Sequence, residues 1–322
     1  GTGDIDLCGF SRFNLSGEGA AEWLRATITG ALPKVGRMNL AYFANDKGKI
    51  LTEMSLVRKS EDEFTLITAA AAQWHDFEVL QKTLPEGLTL TDETRNVNTL
   101  IVCGPTSRDT LNSIGIEADL SMGWLTHQPA KLLGKDVYLL RVCFAGELGW
   151  EIHSSMDDTA DIYDALIDAG SKAFGMYALN SMRVEKGYRA WKGDLSSDYS
   201  ILEGGLERFV KLDKPQDFPG KAAIQAEKQR GVTQQFATLV MDHHDCDAPY
   251  MSPIYSGEEV VGAVTSCAMG YRSNQIVVLA MLKTGLHDVG TELEINVFGD
   301  RVRAIVQADQ PVWDPENERL RA

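Results

Sequence analysis

Two glutamates have neighbours that do not suit a solvated charge. Glu185 lies in SMRVEKGYRAW (181–191), between Met182 and Val184 on one side and Tyr188 and Trp191 on the other. Glu53 lies in GKILTEMSLV (48–57), where Ile50, Thr52, Met54 and Leu56 alternate with Leu51, Glu53, Ser55 and Val57. A strand therefore sets Glu53 among apolar side chains in either register. A carboxylate in that setting either has its pKa pushed up, which suits proton or iminium chemistry, or meets a Lys or Arg. The spacing leaves both readings open. In CFAGELGWEIH (143–153), Gly146 and Gly149 bracket Glu147, as a tight hairpin or a backbone wall beside a ligand requires.

Other chemistries lack their motifs. GPTSRD (104–109) has no second and third glycine, and no G-x-x-x-x-G-K-[ST], nucleophile elbow, H-E-x-x-H or kinase signature occurs. DHHDCD (242–247) gathers two His, three Asp and a Cys, but adjacent residues point apart and no second cluster supports them, so it reads as a loop and no metal is expected. The five cysteines show no C-x-x-C pair, which argues for a reducing compartment. A net charge of -15 argues against nucleic acid and anionic membranes as partners. No run reaches ~18 apolar residues and no secretory signal stands out, so a cytoplasmic protein is expected, or a matrix protein in a mitochondrion.

The elements that must position these groups follow from periodicity. SRFNLSG alternates as a strand, and Ala20, Trp23, Leu24 and Ile28 mark a helix. Strands over 39–69 turn at Asn45-Asp46-Lys47-Gly48. A helix over 72–84 shows Trp74, Phe77, Leu80 and Leu84 on one face. Further strands lead to a helix opened by the acidic DDTAD and to LNSMRVEKG, with Asn180 as its cap and Gly187 as its stop. From about 233 onward only strand-and-turn patterning remains. The fold class is therefore α+β, with an α+β domain over 1–232 followed by a small all-β barrel domain over 233–322.

The segments NDKGKILTEMSL, CGPTSRDTL, FAGELGWEIH, YALNSMRVEKGYRAWKGDLS, ILEGGLERFVKLDKPQDFPGKAAI, VVGAVTSC and PVWDPENERLR, in that order, resemble the glycine cleavage T-protein (aminomethyltransferase) superfamily. RVEKGYRAW followed by LEGGLERFVKLDK is most similar to the folate-binding C-terminal regions of its dimethylglycine and sarcosine dehydrogenase branch. The resemblance implies tetrahydrofolate as cofactor. It implies Glu185 as the pterin anchor, a carboxylate accepting two parallel N–H bonds from the aminopyrimidinone edge. It places Glu53 where the family carries its catalytic aspartate, with the carboxylate about one methylene further out. Phe144 and Ala69 stand where T-protein has a tyrosine and an asparagine, so Phe144 would wall an apolar pterin slot.

Cations for the anionic folate tail would come from Arg183, Arg189, Lys211, Lys214 and Arg272, and Trp191 would stack on the ligand or close the core. The implied reaction is the transfer of a methylene or methyl group from an N-methylated amine, such as dimethylglycine or sarcosine, to give 5,10-methylenetetrahydrofolate. The donor is that amine or its iminium or formaldehyde product, supplied by a flavoprotein domain or subunit. Two alternatives stand beside it: a non-catalytic folate-binding or interaction module, favoured by Glu53, Phe144 and Ala69, and a folate-dependent demethylase acting on an S- or O-methyl donor.

Overall fold

The computed structural model describes all 322 residues. The chain opens with β1 (Gly3–Asp6), β2 (Phe10–Ser16) and α1 (Ala20–Thr27), then runs through β3 (Met38–Ala44), β4 (Ile50–Arg58) and β5 (Glu63–Ala69) into α2 (Gln73–Lys82). Next come β6 (Thr89–Asp92), β7 (Val97–Cys103), α3 (Ser107–Ser113), β8 (His127–Leu132), β9 (Lys135–Leu140) and β10 (Gly149–Ser155). α4 (Met156–Asp168), the short β11 (Lys172–Ala173), α5 (Met176–Glu185) and α6 (Lys221–Arg230) follow. The last strands are β12 (Gln234–Met241), β13 (Pro253–Ser256), β14 (Glu259–Gly270), β15 (Gln275–Lys283), β16 (Glu292–Val297) and β17 (Asp300–Val306), before the short α7 (Glu318–Arg321).

These strands form a five-stranded sheet of order β3-β4-β5-β2-β6, a six-stranded sheet of order β11-β1-β7-β10-β9-β8, and a closed barrel of order β12-β15-β14-β13-β16-β17. The architecture is α+β followed by a closed barrel, as the pattern of periodicities implied. No helix is long and apolar enough to cross a membrane.

The alternation in β4 decides which groups face the chemistry. Ile50, Thr52, Met54 and Leu56 are all buried, and Met54 and Leu56 pack with Leu24 of α1 and Leu80 of α2. Each such side chain contributes roughly 1.5–3 kcal/mol when fully buried. Glu53, Ser55 and Val57 therefore face the other way. There Val57 joins Met38, Ile67 and Leu140 in a small cluster that ties the two sheets together. The turn before β4 closes as its sequence dictates: Asn45 Oδ1 accepts the amides of Lys47 and Lys49, and Gly48 takes φ +74.

α5 fastens the barrel to the sheets, with Val184 packed against Phe236, Val277 and Leu279. It stops at Gly187 (φ +63), where the Tyr188 amide donates to the Arg183 carbonyl at 3.0 Å. Its start differs from the expectation. Extended Gly175 precedes the first helical residue, Met176, so Asn180 is interior and its Oδ1 accepts from Arg183 instead of capping. The face of α2 also differs in part. Phe77, Leu80 and Leu84 pack on the core as expected, joined by buried Ala72 and Asp76, whereas Trp74 is 70% exposed.

Candidate active site

Glu53 lies opposite Tyr42 of β3, because a bulge between Phe43 and Ala44 shifts the hairpin register by one residue. Tyr42 is buried, and its ring tilts onto Phe209 at 5.0 Å. Glu53 is half-buried, and burial is the largest influence on its carboxyl. It pushes the carboxyl from an ordinary 4.5 up to about 7. A hydrogen bond from Tyr42 and the charge of Arg189 pull it back, while Asp194 and Asp76 push it up. Burial, followed by the adjacent carboxylate, also raises the Tyr42 phenol well above its usual range, so Tyr42 remains a donor.

Arg189 follows the glycine stop of α5. Its guanidinium sits 3.8 Å over the Phe236 ring of the barrel, Nε has no partner, and the nearest carboxylate, Asp309, is 4.0 Å away. Burial lowers its pKa. Asp194, fully buried, accepts from Arg183 Nη1 (2.5 Å), the Ala190 amide (2.8 Å) and Thr265 Oγ1 (2.6 Å). Asp76, also fully buried, accepts from Thr68 Oγ1 at 2.5 Å and lies 2.8 Å from His75 Nδ1. Trp191 is half-buried with its indole Nε1 unpartnered. Together these groups give a carboxyl that titrates near neutrality, a phenol donor, a partly free guanidinium and aromatic surface. Such a set can hold a flat polar molecule and move one proton at Glu53.

Glu185 is in a different situation. It has no accessible surface, and its Oε1 accepts from the Arg272 amide (3.0 Å), the Ser273 amide (2.7 Å) and Ser273 Oγ (2.9 Å), while Oε2 accepts from Arg272 Nε (2.6 Å). Arg272 also donates to the carbonyls of Ala145 and Met182 and stacks 3.8 Å over Trp313. Beside it, buried Lys186 donates to Asp314 and Asn317, and its side chain fills the space where a side chain on Gly146 (φ +71) would sit. Four internal donors leave no open carboxylate edge for a bidentate ligand. The geometry therefore makes Glu185 the centre of a clamp between α5, the 143–149 turn, the β14–β15 turn and the C-terminal segment, where the resemblance implied a pterin anchor.

The other expected residues scatter. Arg183 is buried, with its donors directed to Asn180, Tyr188, Asp194 and Ser266, so it braces the site and offers no cation at a pocket mouth. Lys214 Nζ donates to the carbonyls of Arg25, Ile28 and Gly30, satisfying the end of α1 that the helix itself leaves open. Burial, then Lys221, pushes it down to about 8. Lys211 is exposed. Phe144 stacks on Tyr188 at 5.9 Å. Tyr42, Asp194 and Asp76 went unnoticed in the sequence. Only Tyr42 left a signal there, as an aromatic on the strand paired to Glu53 through a clear hairpin turn.

Residues 1–214 match the GCVT N-terminal domain, and residues 234–314 match the glycine cleavage T-protein C-terminal barrel domain. The chain belongs to the glycine cleavage T-protein family. Among curated relatives, it is 32% identical to mitochondrial dimethylglycine dehydrogenase of Homo sapiens over 98% of this chain and 38% of that protein. It is 27% identical to the aminomethyltransferase of Thermosynechococcus vestitus over 94% of this chain and 83% of the relative. The chain thus spans well under half of the dimethylglycine dehydrogenase and most of the aminomethyltransferase. Its fold matches the crystal structure of glycine cleavage system aminomethyltransferase T from Bartonella henselae with a TM-score of 0.90, at 21% identity over 98% of this chain and 87% of that one.

Proposed function

We propose that the chain is a tetrahydrofolate-dependent one-carbon transfer module that accepts the methylene unit left when a flavoprotein removes two electrons from an N-methylated amine such as dimethylglycine or sarcosine, giving 5,10-methylenetetrahydrofolate. The observation that carries this reading is Glu53, a carboxyl held at about 7 beside Tyr42 and Arg189. The fit to folate rests on the same surroundings. Arg189 Nε and Trp191 Nε1 are buried donors without partners, next to aromatic faces suited to a flat heterocycle. When bound, tetrahydrofolate supplies the amine nitrogens that accept the one-carbon unit.

The chain's own residues do the rest. Ionised Glu53 takes the proton that an amine nitrogen must lose when it forms a new bond to carbon, and its charge stabilises the cationic character of the incoming one-carbon unit. Tyr42 fixes the orientation of the carboxylate. Arg189 keeps enough of it ionised near neutral pH, against the opposing fields of Asp194 and Asp76. Glu185 shapes the site by pinning the Arg272–Ser273 turn to α5, and Trp191 and Phe144 line the ligand's path. A flavoprotein domain or subunit supplies the oxidised donor, a pairing consistent with the dehydrogenase relative. That relative is mitochondrial, which favours the mitochondrion for a eukaryotic source.

The test combines calorimetric titration of tetrahydrofolate with the rate of tetrahydrofolate-dependent formaldehyde consumption. Glu53→Gln should bind within about threefold of the unmutated chain and lose the catalysed rate. Binding without catalysis in the unmutated chain would select the non-catalytic folate module, and no binding would overturn the folate assignment. A panel of N-, S- and O-methyl donors, with the oxidising partner present, assigns the donor class.

A further inference from the structure

A cavity of about 550 Å³ opens between the two sheets, lined from β2, β4 and β5 on one side and β8, β9 and β10 on the other. Val57, Ile67 and Leu140 line it and also belong to the cluster that ties the sheets together. Val57 is four residues along β4 from Glu53, about 13 Å at the rise of a strand, so this is a separate place on the same sheet face.

Arg12 forms part of the wall and is only 3% exposed. Its Nε donates to His153 Nδ1 at 3.0 Å and its Nη1 to the Val97 carbonyl at 2.7 Å, but Nη2 has no partner. Because His153 Nδ1 accepts, the ring is the neutral tautomer whose Nε2–H meets Glu151 Oε2 at 3.0 Å. Burial, then Arg12, holds that histidine down at about 4. Glu151 thus reaches Arg12 only through a neutral imidazole, and no carboxylate contacts the guanidinium directly.

The acidic side chains of the lining are already engaged. Glu63 pairs with Lys59 at 3.4 Å, Asp136 with Lys131 at 2.7 Å, and Glu93 accepts from Asn96 Nδ2 at 2.7 Å. Arg12 Nη2 and Asn14 Oδ1 are the lining atoms left buried without partners. A buried donor with no acceptor carries its full desolvation cost, and an anion beside it removes that cost. Around them Val57, Ile67, Val137 and Leu140 supply an apolar floor, and Tyr138 an aromatic face.

We propose that this inter-sheet cavity binds a small organic carboxylate, its anionic end on Arg12 Nη2 and its apolar body over Ile67, Val137 and Tyr138. The volume lies within the range of small-molecule pockets, and the lining combines apolar side chains with polar and charged ones that can orient a ligand.

Benzoate, benzylamine and benzyl alcohol share one ring and differ in charge, so calorimetric titration of the three isolates the anion preference. Benzoate should bind, with benzylamine and benzyl alcohol at least tenfold weaker. Arg12→Met should bring benzoate down to the level of benzyl alcohol. Because Arg12 also braces His153, a second variant is needed: Thr65→Trp fills the cavity from its lining and should abolish benzoate binding while the urea midpoint and tetrahydrofolate binding stay as in the unmutated chain. Absence of benzoate binding, equal binding of benzylamine, or benzoate binding that survives Thr65→Trp would each overturn the proposal.

Discussion

Glu53 and Glu185 are both carboxylates among apolar neighbours, and the structure treats them in opposite ways. Glu185 is enclosed, with four donors from the Arg272–Ser273 turn. Glu53 has the Tyr42 phenol and a more distant arginine, with two further carboxylates nearby, and its pKa rises to about 7. A buried charge that is fully satisfied holds a structure together, whereas an under-satisfied one is poised to exchange a proton. Under the proposed function, the contrast gives Glu185 a role in stability and Glu53 a role in the chemistry.

Substitution at each should separate the two roles. Glu53→Gln should lower the rate of one-carbon transfer by about 10²-fold or more, the scale of general acid–base catalysis, in a steady-state assay with folding intact. Glu185→Ala should act on stability instead, costing roughly 3 kcal/mol by urea unfolding, because it removes the acceptor of four internal donors and leaves Arg272 only the longer 3.5 Å pairing with Glu147. A Glu53→Gln variant that unfolds easily, or a Glu185→Ala variant with an unchanged urea midpoint, would reverse the assignment.

The pH dependence sharpens the contrast. Below 4.5, Glu53 is protonated both folded and unfolded, so it contributes no difference. As pH rises from 4.5 through about 7 the unfolded chain ionises first, and the folded state loses about 3 kcal/mol that it does not regain at higher pH. The stability of the unmutated chain relative to Glu53→Gln should fall across that window and level off above it. Activity should rise over the upper part of the same window, with an apparent pKa of about 7.

Smaller effects follow from the neighbours. Tyr42→Phe removes a hydrogen bond to the ionised form and should move the activity limb to higher pH by roughly 0.4–1 unit, read from the pH–rate profile. Lys211→Ala should leave tetrahydrofolate affinity within about twofold, since the residue is exposed.

Much of the scaffold was legible in local pattern. The alternation around Glu53, the Asn45–Gly48 turn, the Gly187 stop and the barrel strands between 234 and 306 each depend on residues a few positions apart, while the short α7 at the C-terminus went unread. The site was less legible because its partners are distant or displaced. Glu185 meets donors 87 and 88 residues away, and Lys214 caps a helix from 189 residues further on. Tyr42 reaches Glu53 only because a bulge shifts the register. Without it, the pairing of Ala44 with Ile50 would continue to put Ala41 opposite Glu53.

The most direct test of the central claim is a pH titration of the glutamate side-chain carboxyl carbons by ¹³C NMR, in the unmutated chain and in Glu53→Gln. One glutamate titrating at about 7 and missing from the variant is the predicted result. A spectrum in which no glutamate titrates near 7, or in which that signal persists in Glu53→Gln, would contradict it.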